Sequence, residues 1–207
     1  MLSHELWTAN ADLRQACLEH PFVQGLGNGT LEGDAFKCYV AQDVFFLKAF
    51  FRAYGLAAAR CPDLERAGVF HGLMGGVLEE LKLHEGYAAR LGIDLRTVRP
   101  YPAARAYTDF LLRTAWHEGL DRTVAAMTPC MRLYAWLGKK LRPRLRLDHP
   151  YQRWIETYSS DGFEDLARSL ERLLDGVATD TPAVRDAYRY AMRCEHDFFA
   201  AAMEETG

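Results

Sequence analysis

The sequence predicts an all-α fold of seven or eight helices. Apolar residues recur at spacings of three and four over long segments, and no stretch keeps a strand's alternation between turn signals. The breaks between periodic segments are short and carry Gly or Pro. Ser3 is a good N-cap and starts a first helix that runs to about residue 19. The Gly-rich stretch HPFVQGLGNGTLEG, residues 20–33, reads as a loop. It is not a phosphate-binding loop, because no Lys-Ser/Thr follows it and no strand precedes it. A long helix is expected over about 32–60, closed by Pro62, with others over about 63–91, 103–118 and 121–141. Shorter helices are expected over 149–158, 160–175 and 181–205. With no repeat, low-complexity tract or linker, residues 1–207 are expected to form one domain.

Composition narrows the function classes. Of the chain, 49% is apolar and 26% charged, with 25 basic and 28 acidic residues mixed along it. No basic face marks a nucleic-acid binder and no polybasic run marks an anionic lipid surface. Apolar runs fall far short of the roughly 20 residues that span a bilayer. The first residues, MLSHELWTANADL, carry early acids and do not read as a signal peptide, so a cytoplasmic location is expected. The five cysteines are widely spaced, with no Cys-x-x-Cys pair, which argues against a disulfide framework or a zinc site.

Two acids break the amphipathic pattern. Asp43 falls within the inward stripe Phe36, Tyr39/Val40, Phe46/Leu47, Phe50, and Glu195 falls in line with Tyr188, Ala191, Phe198 and Ala202. A carboxyl aimed into apolar surroundings must be hydrogen-bonded or protonated. Either acid alone reads as a structural group satisfied by an Arg or a backbone donor. Two on separate helices, both flanked by aromatics, outline a polar spot in an aromatic-walled small-molecule site.

In MTPCMRLYAWLG, residues 127–138, Cys130 and Tyr134 share a helical face. Pro129 removes a helical hydrogen bond and is expected to bend the helix just before the cysteine. Against a nucleophilic role stands the ordinary one of a thiol, a small core hydrophobe. Tyr107 and Tyr158 are further aromatics with a polar tip. A metal site has weak support: Glu80 and His84 are spaced i, i+4 and His117 adjoins Glu118, but no Glu-x-x-His motif completes a bundle's ligand set.

Together these blocks resemble the TenA family (thiaminase II, aminopyrimidine aminohydrolase) along almost the whole chain. The carriers are HPFVQGLGNGTL at 20–31, F-x-x-Y-x-x-QD from Phe36 to Asp43, AYTDFLL at 106–112, PCMRLYAWLG at 129–138, YQRWIETYSSDGF at 151–163 and CEHDFF at 194–199. The resemblance implies a heme-oxygenase-like bundle, assembled as a homotetramer, with no metal or other cofactor. It implies hydrolysis at the methylene carbon of a 4-amino-2-methylpyrimidine, releasing ammonia or the thiazole of thiamine. By that resemblance Cys130 is the nucleophile, with a lowered pKa, and Glu195 moves protons. Asp43 holds the pyrimidine, and Phe46, Tyr107, Tyr134, Tyr158 and Phe198 wall the site. Phe46 departs from the thiaminase-type relatives, which carry a tyrosine there. The alternative it implies is a non-catalytic or regulatory pyrimidine-binding protein on the same fold.

Overall fold

The computed structural model describes residues 1–204, so the last residue of the helix expected over 181–205 lies outside the described residues. Among them there are ten α-helices and no strand: α1 Leu2–Ala9, α2 Ala11–Glu19, α3 Pro21–Asn28, α4 Gly33–Ala59, α5 Leu64–Leu91, α6 Pro102–His117, α7 Leu120–Leu141, α8 Gln152–Tyr158, α9 Asp161–Val177 and α10 Pro182–Glu204. A short 3-10 turn, Arg142–Arg144, follows α7.

The long helices fall where the apolar period puts them, and their ends follow capping chemistry. Asp63 accepts from the Arg66 N–H at the start of α5, and Ser160 accepts from the Phe163 N–H at the start of α9. Gly92 closes α5 at φ 70°, a left-handed position that suits a residue without a Cβ.

Two expectations near the start of the chain are corrected. The first helix is two helices, parted at Asn10, whose side-chain amide donates back to the Leu6 carbonyl at 2.8 Å while Arg189 binds its other end. The stretch at 20–33 is mostly the helix α3 rather than a loop. Pro21 occupies its first turn, the His20 ring accepts from the Phe22 N–H, and Gly29 ends it at φ 77°. Burial of Phe22, Val23 and Leu26 outweighs the low helix propensity of its glycines.

α4 packs along α5 and α6, and α7 packs against α8, α9 and α10. α10 crosses both groups, touching α4, α6 and α7. The inner faces of α4, α5, α6, α7, α8 and α10 therefore converge on one hydrophobic core, and the polar residues of interest lie inside it. α7 continues as helix through Pro129, which stands inside it just before Cys130. No helix among the described residues is long and apolar enough to cross a membrane.

Candidate active site

Each converging helix contributes a polar side chain to one buried volume. α4 supplies Tyr39, Asp43, Phe46 and Tyr54; α5 supplies Glu80 and His84; α6 supplies Tyr107. α7 brings Cys130 and Tyr134, α8 brings Trp154 and Tyr158, and α10 brings Glu195 and Phe198. Asp43 is 4% exposed, Glu195 2% and Cys130 9%, so all three are core residues.

The thiol side is built around Glu195. The Tyr107 hydroxyl donates to Glu195 Oε1 at 2.6 Å, and the Cys130 thiol lies beside the same carboxyl. Burial pushes Glu195 up to about 7, with the Tyr107 and Cys130 bonds working against the rise. The same burial, with the carboxyls of Glu195, Glu80 and Asp43 nearby, pushes the Cys130 thiol well above its usual range. This corrects the expectation of a thiol made acidic by its setting. A thiolate here has to form by handing its proton to a neighbour, and Glu195 is the one in contact.

The opposite side is built around Asp43. Its Oδ2 lies 3.0 Å from His84 Nε2 but has no aligned hydrogen-bond partner. His84 Nε2 also lies 3.3 Å from the Tyr158 hydroxyl, which donates to Glu80. Burial, then the charges of Glu80 and Glu195, pushes Asp43 well above the usual carboxylate range. Burial alone brings His84 down to about 3, which keeps the ring neutral.

Aromatic rings join the two sides. Phe46 packs at 4.9 Å from Tyr107 and 5.9 Å from Phe198. Tyr134 packs at 4.9 Å from Tyr158, and its hydroxyl lies 3.4 Å from that of Tyr39. Trp154 donates from its indole N–H to the Tyr39 hydroxyl at 3.2 Å.

The structure thus brings together Cys130, Glu195, Asp43, Phe46, Tyr107, Tyr134, Tyr158 and Phe198. Sequence reasoning missed Tyr39, Tyr54 and Trp154, which look like ordinary core aromatics in one dimension. It also missed the part played by His84 and Glu80, although their i, i+4 spacing was visible. Gln42, beside Asp43, plays a different part. Its amide donates to the Arg99 carbonyl and accepts from the Tyr101 N–H, tying down the segment that leads into α6. Ligating atoms of Asp43, Glu80 and His84 lie within 4.8 Å of one another, the one grouping of three among the described residues that could hold a metal ion.

A helical bundle that gathers a thiol, three carboxyls and several tyrosines in its core has the makings of a small-molecule site. The chain belongs to the TENA/THI-4/PQQC family, whose model matches residues 7–205. It is 34% identical to an aminopyrimidine aminohydrolase of Halalkalibacterium halodurans over 92% of this chain and 90% of that one. It is 38% identical to the bifunctional mitochondrial TH2 protein of Arabidopsis thaliana over 87% of this chain, but spans only 34% of that longer protein. A TenA family transcription regulator from Silicibacter sp. TM1040 superposes with a TM-score of 0.90 at 29% identity, over 97% of this chain and 96% of that one. The fold is the heme-oxygenase-like bundle, seen also in a domain from Shewanella denitrificans.

Proposed function

We propose that the protein is a thiamine-salvage hydrolase that replaces the substituent on the methylene carbon of a 4-amino-2-methylpyrimidine with hydroxyl. The observation that carries this reading is a buried Cys130 beside the Glu195 carboxyl, which Tyr107 holds by a hydrogen bond, with the buried carboxyl of Asp43 in the same core; burial and neighbouring carboxyls favour the acid form of Asp43. An acid carboxyl is the complement of an amidine edge: its O–H donates to the ring nitrogen, and its carbonyl oxygen accepts from the 4-amino group.

The steps follow from that arrangement. Cys130 passes its proton to ionised Glu195 as sulfur bonds to the ring carbon beside the methylene-bearing one. The ring nitrogen takes the proton of Asp43 as aromaticity is lost. Glu195 then protonates the leaving amine, whose bond to the methylene breaks as the ring electrons push out. Water adds to the exocyclic methylene with Glu195 taking its proton. The ring proton returns to Asp43, sulfur leaves and recovers a proton from Glu195, and the ring is aromatic again. Water and the aminomethyl compound give hydroxymethylpyrimidine and ammonia, and the protein ends as it began.

The groups that act on Asp43, Glu195 and Cys130 are carboxyls, the Tyr39 and Tyr107 hydroxyls and the thiol itself, with no cationic side chain among them. That excess of acid suits a substrate whose leaving group is cationic, an ammonium or a thiazolium. The further parts of this reading are a homotetramer in the cytoplasm, supported by the family resemblance. Exposed Leu64, Leu147 and Trp116 are apolar area that such an assembly can cover. Light scattering after gel filtration measures the assembly.

The deciding experiment assays 4-amino-5-aminomethyl-2-methylpyrimidine and thiamine side by side with Cys130→Ala. Loss of at least a thousandfold in kcat with ligand binding retained is the expected result. A variant that keeps most of its activity removes the nucleophile from this mechanism. A wild-type protein that binds hydroxymethylpyrimidine and turns over neither compound makes the chain a pyrimidine-binding protein instead.

A further inference from the structure

The i, i+4 pair Glu80 and His84 is not used by the chemistry above, yet both side chains reach the buried cluster, through Tyr158 and Asp43. Glu80 is half-buried and faces two ways. Inward it accepts the Tyr158 O–H, and outward it borders a groove of about 700 Å³ between α5 and the α8–α9 corner, beside Lys82 and Arg153. Because the Tyr158 proton goes to Glu80, the Tyr158 oxygen is free to accept from His84 Nε2–H. The opposite ring nitrogen, Nδ1, has no partner, which fits a bare lone pair better than a buried N–H. The tautomer with the proton on Nε2 is therefore set by Tyr158 and, behind it, by Glu80.

That donor lies 3.0 Å from Asp43 Oδ2, a buried oxygen left without an aligned partner and so open to a ligand. Asp43 and Glu80 offer oxygens within 4.8 Å of each other, with neutral His84 and no cation between them. Of two carboxyls that close, one ionises only at raised pH. Glu80 has a phenol donating to it and a groove at its back, whereas Asp43 is enclosed, with Tyr39 beside it and its Oδ2 without an aligned donor. Glu80 is the better place for the charge, and the proton stays on Asp43.

We propose that Glu80 is a positioning residue of the pocket: through Tyr158 and His84 it orients the Asp43 carboxyl, and its charge holds that carboxyl as the neutral acid that pairs with the amidine edge of an aminopyrimidine. This rests on the pyrimidine reading given above. Other titratable groups face the same space: Tyr39 and Tyr54 on α4, Tyr107 on α6, Cys130 and Tyr134 on α7, and Glu195 on α10. Of these only Glu195 adds a second nearby charge in the neutral range, and it also favours a protonated Asp43.

Glu80→Gln keeps the acceptor for Tyr158 and removes the charge. The probe is 4-amino-5-hydroxymethyl-2-methylpyrimidine, uncharged at its methylene, with affinity measured by calorimetry from pH 6 to 9. Binding needs one proton between Asp43 and the ring nitrogen, so affinity falls once Asp43 loses its own. In Glu80→Gln that fall moves to lower pH by about one unit, the usual effect of removing a close like charge. The variant then binds about tenfold more weakly than wild type near pH 8.5 and within threefold of it at pH 6. Glu80→Asp restores the wild-type profile. A Glu80→Gln profile that overlays wild type, or one weakened equally at every pH, overturns the proposal. Should the variant not fold, carboxyl NMR titration of the wild type decides: Glu80 ionising before Asp43 supports it and the reverse order overturns it. Failure of the wild type to bind the probe or hydrolyse either substrate defeats the pyrimidine reading instead, and the NMR order still stands or falls by itself.

Discussion

Phe46 presents a bare ring to the pocket, 4.9 Å from Tyr107 and edge-on to Phe198 at 5.9 Å. Tyr107 is the residue that donates to Glu195, so Phe46 lies one ring away from the carboxyl that serves the leaving group. A hydroxyl on this ring adds one polar contact on the wall next to the proton-transfer apparatus and leaves the packing surface intact. Such a contact with a charged group is worth about 1.5–3 kcal/mol. It falls unequally on ammonium and thiazolium, since only the first carries N–H donors. Phe46→Tyr is therefore expected to change the ratio of kcat/KM for the aminomethylpyrimidine over that for thiamine by about tenfold. Equal changes for both substrates, within twofold, would show that this position does not sense the leaving group.

Tyr158 reaches Glu80 and His84 only because α7 and the end of α8 touch backbone to backbone. A Cβ built on Gly138 would collide with the Tyr158 carbonyl carbon and sit 2.6 Å from the Ser159 nitrogen. Neither can move without moving α8. Gly138→Ala therefore pushes α8 off α7 and draws Tyr158 away from its partners. The expected result is overpacking of about 1–3 kcal/mol, seen as a melting temperature lower by several degrees. KM for the pyrimidine rises in the protein that remains folded, and an unchanged KM would separate the Gly138 contact from the site. The contrast with the opening residues shows what a sequence displays. Long amphipathic helices were legible because their period repeats over many turns, and Asp43 and Glu195 stood out as acids in apolar stripes. The helix α3 was hidden by its glycines, because the tertiary burial that holds Phe22 and Leu26 has no trace in local propensity. Glu80 and His84 were visible as a pair, but only the fold shows that Tyr158, 78 residues from Glu80, completes their chain. The raised pKa of Cys130 was illegible for the same reason, since it is set by burial in the core and by carboxyls on three other helices.

The molecule treats its buried acids in two opposite ways. Burial pushes Glu164 on α9 up, but Lys139, Arg168 and Arg132 outweigh it and bring it down to about 2. Arg132 also grips Glu171, so this network ties α9 to α7. Its contribution is present above the unfolded carboxylate range and is lost as pH falls through the folded value. Glu195 receives no such cation and is pushed up to about 7 by burial. For a raised carboxyl the sign reverses: its contribution is complete below about 4.5, where both states hold the proton, and is lost as pH rises toward 7. The fold thus carries the cost of an ionised core carboxyl at neutral pH at the place where the proposed chemistry needs a base. Glu195→Gln imitates the protonated acid at every pH. It should stabilise the protein little at pH 5 and by about 2–3 kcal/mol more at pH 8, a difference of roughly 5–10 °C in melting temperature for a chain of this size. The same variant should lose turnover. Thermal melts of wild type and variant at the two pH values check this, and an equal increment at both would mean that Glu195 is not the group whose ionisation strains the core.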